Sequence, residues 1–102
     1  MIISSNDSLE KIKAILRNHK EEIFKKYSVR EIGIFGSYIR GAETKESDLD
    51  ILVDFQKPID LFSFLELEEF LSDLCKCKID LVSKKTLKPY IGKQILSEVI
   101  YL

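Results

Sequence analysis

From Ser47 to Phe55 the chain reads SDLDILVDF, an alternation that suits a strand. Asp48, Asp50, Leu52 and Asp54 fall on one face, and Leu49, Ile51, Val53 and Phe55 fall on the other. A sheet covered by helices on its apolar side and partly open near Asp48 accommodates both sets. Residues i and i+2 of a strand lie about 6–7 Å apart on the same side, so Asp48 and Asp50 point together. Two adjacent carboxylates repel unless a cation sits between them, and oxygen ligands of this kind hold hard divalent cations. The first expectation is a metal site. Asp54, two pleats beyond Asp50, reads as a solvated strand-end residue outside it.

The stretch before this strand carries a second feature. Val29 to Phe35 is rich in β-branched and aromatic residues and stops at Gly36-Ser37, which predicts a strand feeding a tight turn. Glycine there opens conformations closed to other residues and lets a ligand approach the main chain. Ser37 offers a hydroxyl and can begin a short helix to about Arg40, whose free N–H groups suit an anion such as phosphate. Gly41 to Lys45 reads as a loop.

Elsewhere, apolar residues at three- and four-residue steps predict a first helix over residues 8–27, with Asp7 and Glu10 at capping-box spacing and Ser8 as the competing cap. His19 falls at the edge of its stripe and is assigned no role. After Pro58, Asp60 or Ser63 starts a long helix, with Leu61, Phe64, Leu65, Leu67, Phe70, Leu71 and Leu74 on its apolar face and its acidic residues mostly outside. Lys78 to Val82 forms a short strand with Asp80 in its middle, a charge that is costly to bury without a partner. A final helix from Leu87 or Pro89 to Tyr101 closes the core. The expected order is α-β-α-β-α-β-α, an α+β fold with a small mixed sheet backed by helices, in one domain over residues 1–102.

Composition narrows the functional classes. With 102 residues, 45% of them hydrophobic and 32% charged, and a formal net charge of −1, the chain has one modest core and no excess of positive charge for nucleic acid. A large substrate must dock on the outside. No stretch is long and apolar enough to cross a bilayer, and the opening lacks a signal-like pattern, so a cytoplasmic protein is expected. Cys75 and Cys77 form a lone C-x-C pair without four-ligand zinc spacing, which favours two reduced cysteines over a metal or redox role.

Asp48, Asp50 and Asp80 together supply three carboxylates from two strands, downstream of a Gly-Ser turn suited to phosphate. Two-metal phosphoryl transfer uses such a set, with shared carboxylates holding two Mg²⁺ ions about 3.5–4 Å apart. Asp80 suits a ligand of the second ion and an acceptor for the proton leaving the nucleophile. The pattern Gly36-Ser37-x-x-Arg40-Gly41, then Ser47-Asp48-Leu49-Asp50, then Asp80 in Ile79-Asp80-Leu81-Val82 resembles the signature of the minimal nucleotidyltransferases of the DNA polymerase beta superfamily. The resemblance continues through residues 60–75 and the Leu87-Lys88-Pro89-Tyr90 start of the last helix, and no motif position departs from it.

The resemblance implies a nucleotidyltransferase fold in which Gly36 and Ser37 bind the phosphates of ATP, Asp48 and Asp50 bind both Mg²⁺ ions, and Asp80 is the third ligand. For Arg40 it implies a local structural or phosphate role, beside which a surface ion pair stands open. Lys45, Lys84, Lys85 and Lys88 are further candidates for nucleotide or partner contacts. Many members of the family are antitoxins that transfer AMP to a tyrosine of a HEPN-domain ribonuclease toxin, and the small size of this chain also points to an acceptor brought by a second protein. Two other readings compete: an antitoxin that neutralises its partner by binding alone, and transfer to a small molecule.

Overall fold

A computed structural model describes residues 5–44 and 47–102, giving backbone alone for residues 5–7 and 91. Candidate Lys45 lies outside the described residues. The first described elements are two helices, α1 (Ser5–Asn18) and α2 (Lys20–Tyr27), where the apolar periodicity predicts one. At His19 the backbone leaves helical geometry (φ −105°, ψ 6°), yet Ile23 N–H still donates to His19 C=O at 2.9 Å. The hydrogen-bonded register therefore survives the break, and Leu16 and Ile23 are both fully buried on one side. Two weak helix formers, Asn18 and His19, sit at the junction, and Glu21 and Glu22 then open α2 where its dipole favours acidic groups. Because α1 already includes Ser5, Asp7 and Ser8 both lie within the helix and neither is its N-cap.

Strand β1 (Val29–Phe35) leads through Gly36 into α3 (Ser37–Arg40), as the sequence predicts. Next come β2 (Leu49–Phe55), α4 (Leu61–Cys75), β3 (Ile79–Ser83), a 3₁₀ turn (Lys84–Thr86), α5 (Pro89–Glu98) and β4 (Ile100–Tyr101). Among the described residues, four strands form one mixed sheet in the order β3-β2-β1-β4, with β2 and β3 parallel and the other pairs antiparallel. β4 replaces the predicted end of the last helix. Its Ile-Tyr pair has high strand propensity and extends β1 along its edge, with Leu102 N–H donating to Ile32 C=O at 2.9 Å.

α1, α2 and α4 cover one face of the sheet, where Leu16, Ile23, Leu67 and Leu71 meet Ile34, Leu49, Ile51 and Val53, all fully buried. Each such side chain contributes about 1.5–3 kcal/mol by leaving water. An irregularity between Val29 and Glu31 returns Val29 to this core despite the odd spacing from Ile32. Asp60 caps α4 by accepting the Ser63 N–H at 2.7 Å, which settles the choice between the two candidate caps. The broad apolar face expected of α4 is narrower in the structure: Leu67 and Leu71 are buried, whereas Leu61 is 66% exposed and Leu65 is 48% exposed. They occupy its first turns. None of the side chains described for α5 joins the buried cluster, whereas Leu102, beyond it, is partly buried against that cluster.

The second face of the sheet is less open than expected. Leu52 is 1% exposed, and Asp54 is 4% exposed. Asp54 is therefore no solvated strand-end group. Its Oδ2 accepts hydrogen bonds from Nε (3.1 Å) and Nη2 of Arg30, across the β1–β2 pairing, while Oδ1 is buried without a partner. Among the described residues, no helix is long and apolar enough to cross a membrane.

Candidate active site

The end of β1 and the starts of β2 and β3 meet at one edge of the sheet. Leu49 N–H donates to Lys78 C=O at 2.9 Å, and from there the parallel register places Asp50 directly beside Asp80. Neighbouring strands are about 4.8 Å apart, so the two carboxylates leave adjacent strands on the same face. Asp48 stands just before β2, held by a loop that Ser47 closes: its hydroxyl accepts the Thr44 N–H at 2.8 Å, and its own N–H donates to Thr44 C=O at 3.1 Å. Asp48 and Asp50 are half-buried and Asp80 is exposed, so the group opens toward solvent.

Electrostatics mark this edge as strained. Burial and the Asp80 carboxylate push Asp50 up to about 6, with a further push from Asp48 and an opposing pull from the Arg40 guanidinium. A carboxylate raised in this way is relieved by a cation. The donors are all hard oxygens, the kind that Mg²⁺ selects. Among the described residues no three ligand-type side chains converge into a ready cage. Mg²⁺ rarely uses one, because water and substrate phosphates complete its shell beside one or two carboxylates. The residues present therefore fit Mg²⁺ as an open carboxylate face.

Gly36 forms the wall of this site. Its φ of +82° is a left-handed conformation, and a Cβ added to it would lie 2.0 Å from Asp50 Oδ2. No other residue meets both demands. The Gly36 N–H donates to Glu98 Oε1 at 3.1 Å, so its contribution is the shape of the turn and not a free donor. Ser37 and Tyr38 open α3, and their N–H groups have no acceptor within the helix. Arg40 is 56% exposed and pairs through Nη1 with both oxygens of Glu98, at 3.0 and 3.1 Å. Of the open readings for Arg40, the structure shows a local ion pair.

Lys84 and Lys85 stand elsewhere. Lys84 pairs with Glu31 at 3.1 Å and Lys85 donates to Phe55 C=O at 3.1 Å, both at the opposite ends of β2 and β3 from the aspartates. An apolar cleft of about 500 Å³ lies at that far end, lined by Phe55, Ile59, Phe64 and Leu81, and holds none of the three carboxylates. Lys88 is exposed before α5. Cys75 and Cys77 are free thiols, and burial with the nearby Cys77 pushes Cys75 up to about 12. Sequence reasoning missed Glu98. One signal was available: a carboxylate at the last position of a helix opposes the helix dipole and calls for a compensating partner.

Known proteins resemble this chain in sequence and in fold. The family described as polymerase beta, nucleotidyltransferase matches residues 10–102. Protein adenylyltransferase MntA of Thermococcus cleftensis is 50% identical over 95 residues, spanning 93% of this chain and 96% of that protein. A solved structure provisionally designated a minimal nucleotidyltransferase is similar with a TM-score of 0.75 at 28% identity, over 98% of this chain and 97% of that one. One chain of the complex between a tri-AMPylated Shewanella oneidensis HEPN toxin and its MNT antitoxin shares the fold, with a TM-score of 0.64 at 20% identity over 88% of this chain and 70% of that one. Matched by that family over residues 10–102 and half identical to a protein adenylyltransferase over nearly its whole length, the chain belongs to the polymerase beta nucleotidyltransferase family and is itself a nucleotidyltransferase.

Proposed function

We propose that the protein transfers AMP from ATP to a hydroxyl, a tyrosine in the first instance, of a HEPN-domain toxin, and so acts as its antitoxin. The juxtaposition of Asp50 and Asp80 in one parallel register, beside the Gly36 turn, carries this reading. The name of the Thermococcus relative supports a protein acceptor, and the AMPylated toxin in the Shewanella complex supports a HEPN partner.

In this reading Ser37 and the opening N–H groups of α3 bind the triphosphate, and the Gly36 turn sets its distance from Asp50. Asp48, Asp50 and Asp80 would hold two Mg²⁺ ions, which would supply neutralisation of the phosphates and of the charge developing on attacking and leaving oxygens. The acceptor oxygen attacks the α-phosphorus, a new P–O bond forms, and the bond to the β-phosphate breaks to release pyrophosphate. Asp80, the most exposed of the three, takes the hydroxyl proton. An open site edge admits an acceptor that arrives on another chain.

The test is mass spectrometry of a HEPN-domain toxin after incubation with this protein, ATP and Mg²⁺. The expected result is a mass increase of one or more AMP units on a tyrosine, lost with Asp48→Asn and Asp50→Asn. Neutralisation of the toxin that survives both substitutions without any adduct would show that binding alone suffices. Transfer to an aminoglycoside and not to protein would place the acceptor among small molecules.

A further inference from the structure

Glu98 is the last residue of α5, where a negative side chain faces the negative end of the helix dipole. Its carboxylate is nonetheless held firmly. It accepts the Gly36 N–H at 3.1 Å and two bonds from Arg40 Nη1 at 3.0 and 3.1 Å, and its side chain is only 23% exposed. These contacts join residues separated by 58 and 62 positions. Gly36 in turn leaves no room for a side chain against Asp50 Oδ2, and its neighbour Phe35 pairs with Asp50 in the β1–β2 register. A continuous set of contacts thus runs from the end of α5, through the Gly36 turn, to the Asp50 carboxylate.

We infer that Glu98 is a positioning residue for nucleotidyl transfer, fixing the Gly36 turn and Arg40 so that the wall beside Asp50 keeps its shape while Glu98 itself touches no reacting atom. This rests on the reading that Asp50 belongs to the reacting centre. The placement of α5 separates this role from simple support of the fold. No described residue of α5 joins the core cluster, so removing the Glu98 carboxylate leaves the packed face of the sheet intact. What it releases is the turn. A charged acceptor shared by a backbone N–H and a guanidinium is a strong restraint, and catalytic geometry is sensitive to displacements of about 1 Å.

Three variants of the full chain test the role, read by AMP transfer to the HEPN partner and by amide hydrogen exchange at Gly36. Glu98→Ala is expected to lower kcat about tenfold or more with the KM for ATP changed less than about threefold. It should also raise exchange at Gly36 about tenfold while the amides of Ile51 and Val53 keep their protection. Glu98→Gln retains an acceptor for the Gly36 N–H and should restore most of the lost rate and protection. Should Glu98→Ala fail to fold, Glu98→Asp carries the test, since it is one methylene too short to reach Gly36 and Arg40 together. An active wild type whose kcat is unchanged in the folded Ala or Asp variant overturns the role of Glu98 alone. A wild type that transfers no AMP overturns the proposed function and this role with it, and an active Asp50→Asn protein overturns the assignment of Asp50 on which the role rests.

Discussion

Asp50 and Asp80 stand side by side in the parallel pairing of β2 and β3, and neither strand offers a basic residue at that position to separate them. The arrangement costs stability in the absence of a cation. The folded protein raises Asp50 to about 6, above its usual value near 3.8, through burial first and the Asp80 charge second. A carboxyl group raised in the folded state contributes stability below its unfolded value and loses that contribution as pH rises through its folded value. Metal-free protein should therefore lose stability between about pH 4 and pH 6 by an amount that Asp50→Asn abolishes. Thermal melts of both proteins across this range check the sign. Above pH 6, added Mg²⁺ should raise the Tm of the wild type and leave that of Asp50→Asn nearly unchanged, because only the native carboxylate face gains by binding.

Two glycines with positive φ differ in both backbone strain and crowding. Gly36 has φ +82° with Asp50 Oδ2 only 2.0 Å from a would-be Cβ, whereas Gly41 has φ +70° with nothing within 4 Å. Gly41→Ala should cost about 1 kcal/mol, the backbone penalty alone. Gly36, at ψ −150°, lies outside the αL region in a conformation where only glycine is at ease, so Gly36→Ala carries a larger backbone penalty and must also displace the Asp50 carboxylate. Its loss of stability should be larger, and its AMP transfer should fall by about a hundredfold or more. Denaturant unfolding and single-turnover transfer measure the two effects separately.

The exposed start of α4 yields a sharp contrast in stability. Leu67 is fully buried against the sheet, while Phe62 on the same helix is 82% exposed. Leu67→Ala should destabilise the fold by about 3 kcal/mol, combining lost burial with the cavity left behind. Phe62→Ser should shift stability by no more than about 0.5 kcal/mol. Urea unfolding of both variants gives the comparison, and equal losses would mean that the first turns of α4 pack differently.

Much of the site edge was legible because its signals are local. The two-residue alternation orients Asp48 and Asp50, the apolar run ending at Gly36 marks the turn, and a carboxylate inside the short run Ile79–Val82 points to Asp80. What stayed hidden depends on contacts distant in sequence. Alternation assigns Asp54 to the less apolar face but is blind to Arg30, 24 residues earlier, which lies over that face and buries it. β4 is two residues long, too short to show a period, and exists because β1 has an edge to extend. The break at His19 escapes notice since hydrogen bonds span it and keep both helices in phase. Glu98 is legible only once α5 and the Gly36 turn are brought together.

The Arg30–Asp54 pair supplies the last prediction. Its two members are unequal: the Asp54 side chain is 5% exposed and that of Arg30 is 55% exposed, so the desolvation cost falls almost wholly on the carboxylate. Removing the arginine leaves a buried carboxylate with no cation, on top of an Oδ1 that already lacks a partner. Removing the carboxylate instead leaves an arginine that water can solvate. Buried charges are most damaging when stripped of one partner. Arg30→Ala should therefore destabilise the protein more than Asp54→Ala does, and the double variant should be more stable than Arg30→Ala alone. A thermal or chemical unfolding cycle over the four proteins measures the ordering; if Asp54→Ala proves the more damaging change, the carboxylate has a further partner in solution that offsets its burial.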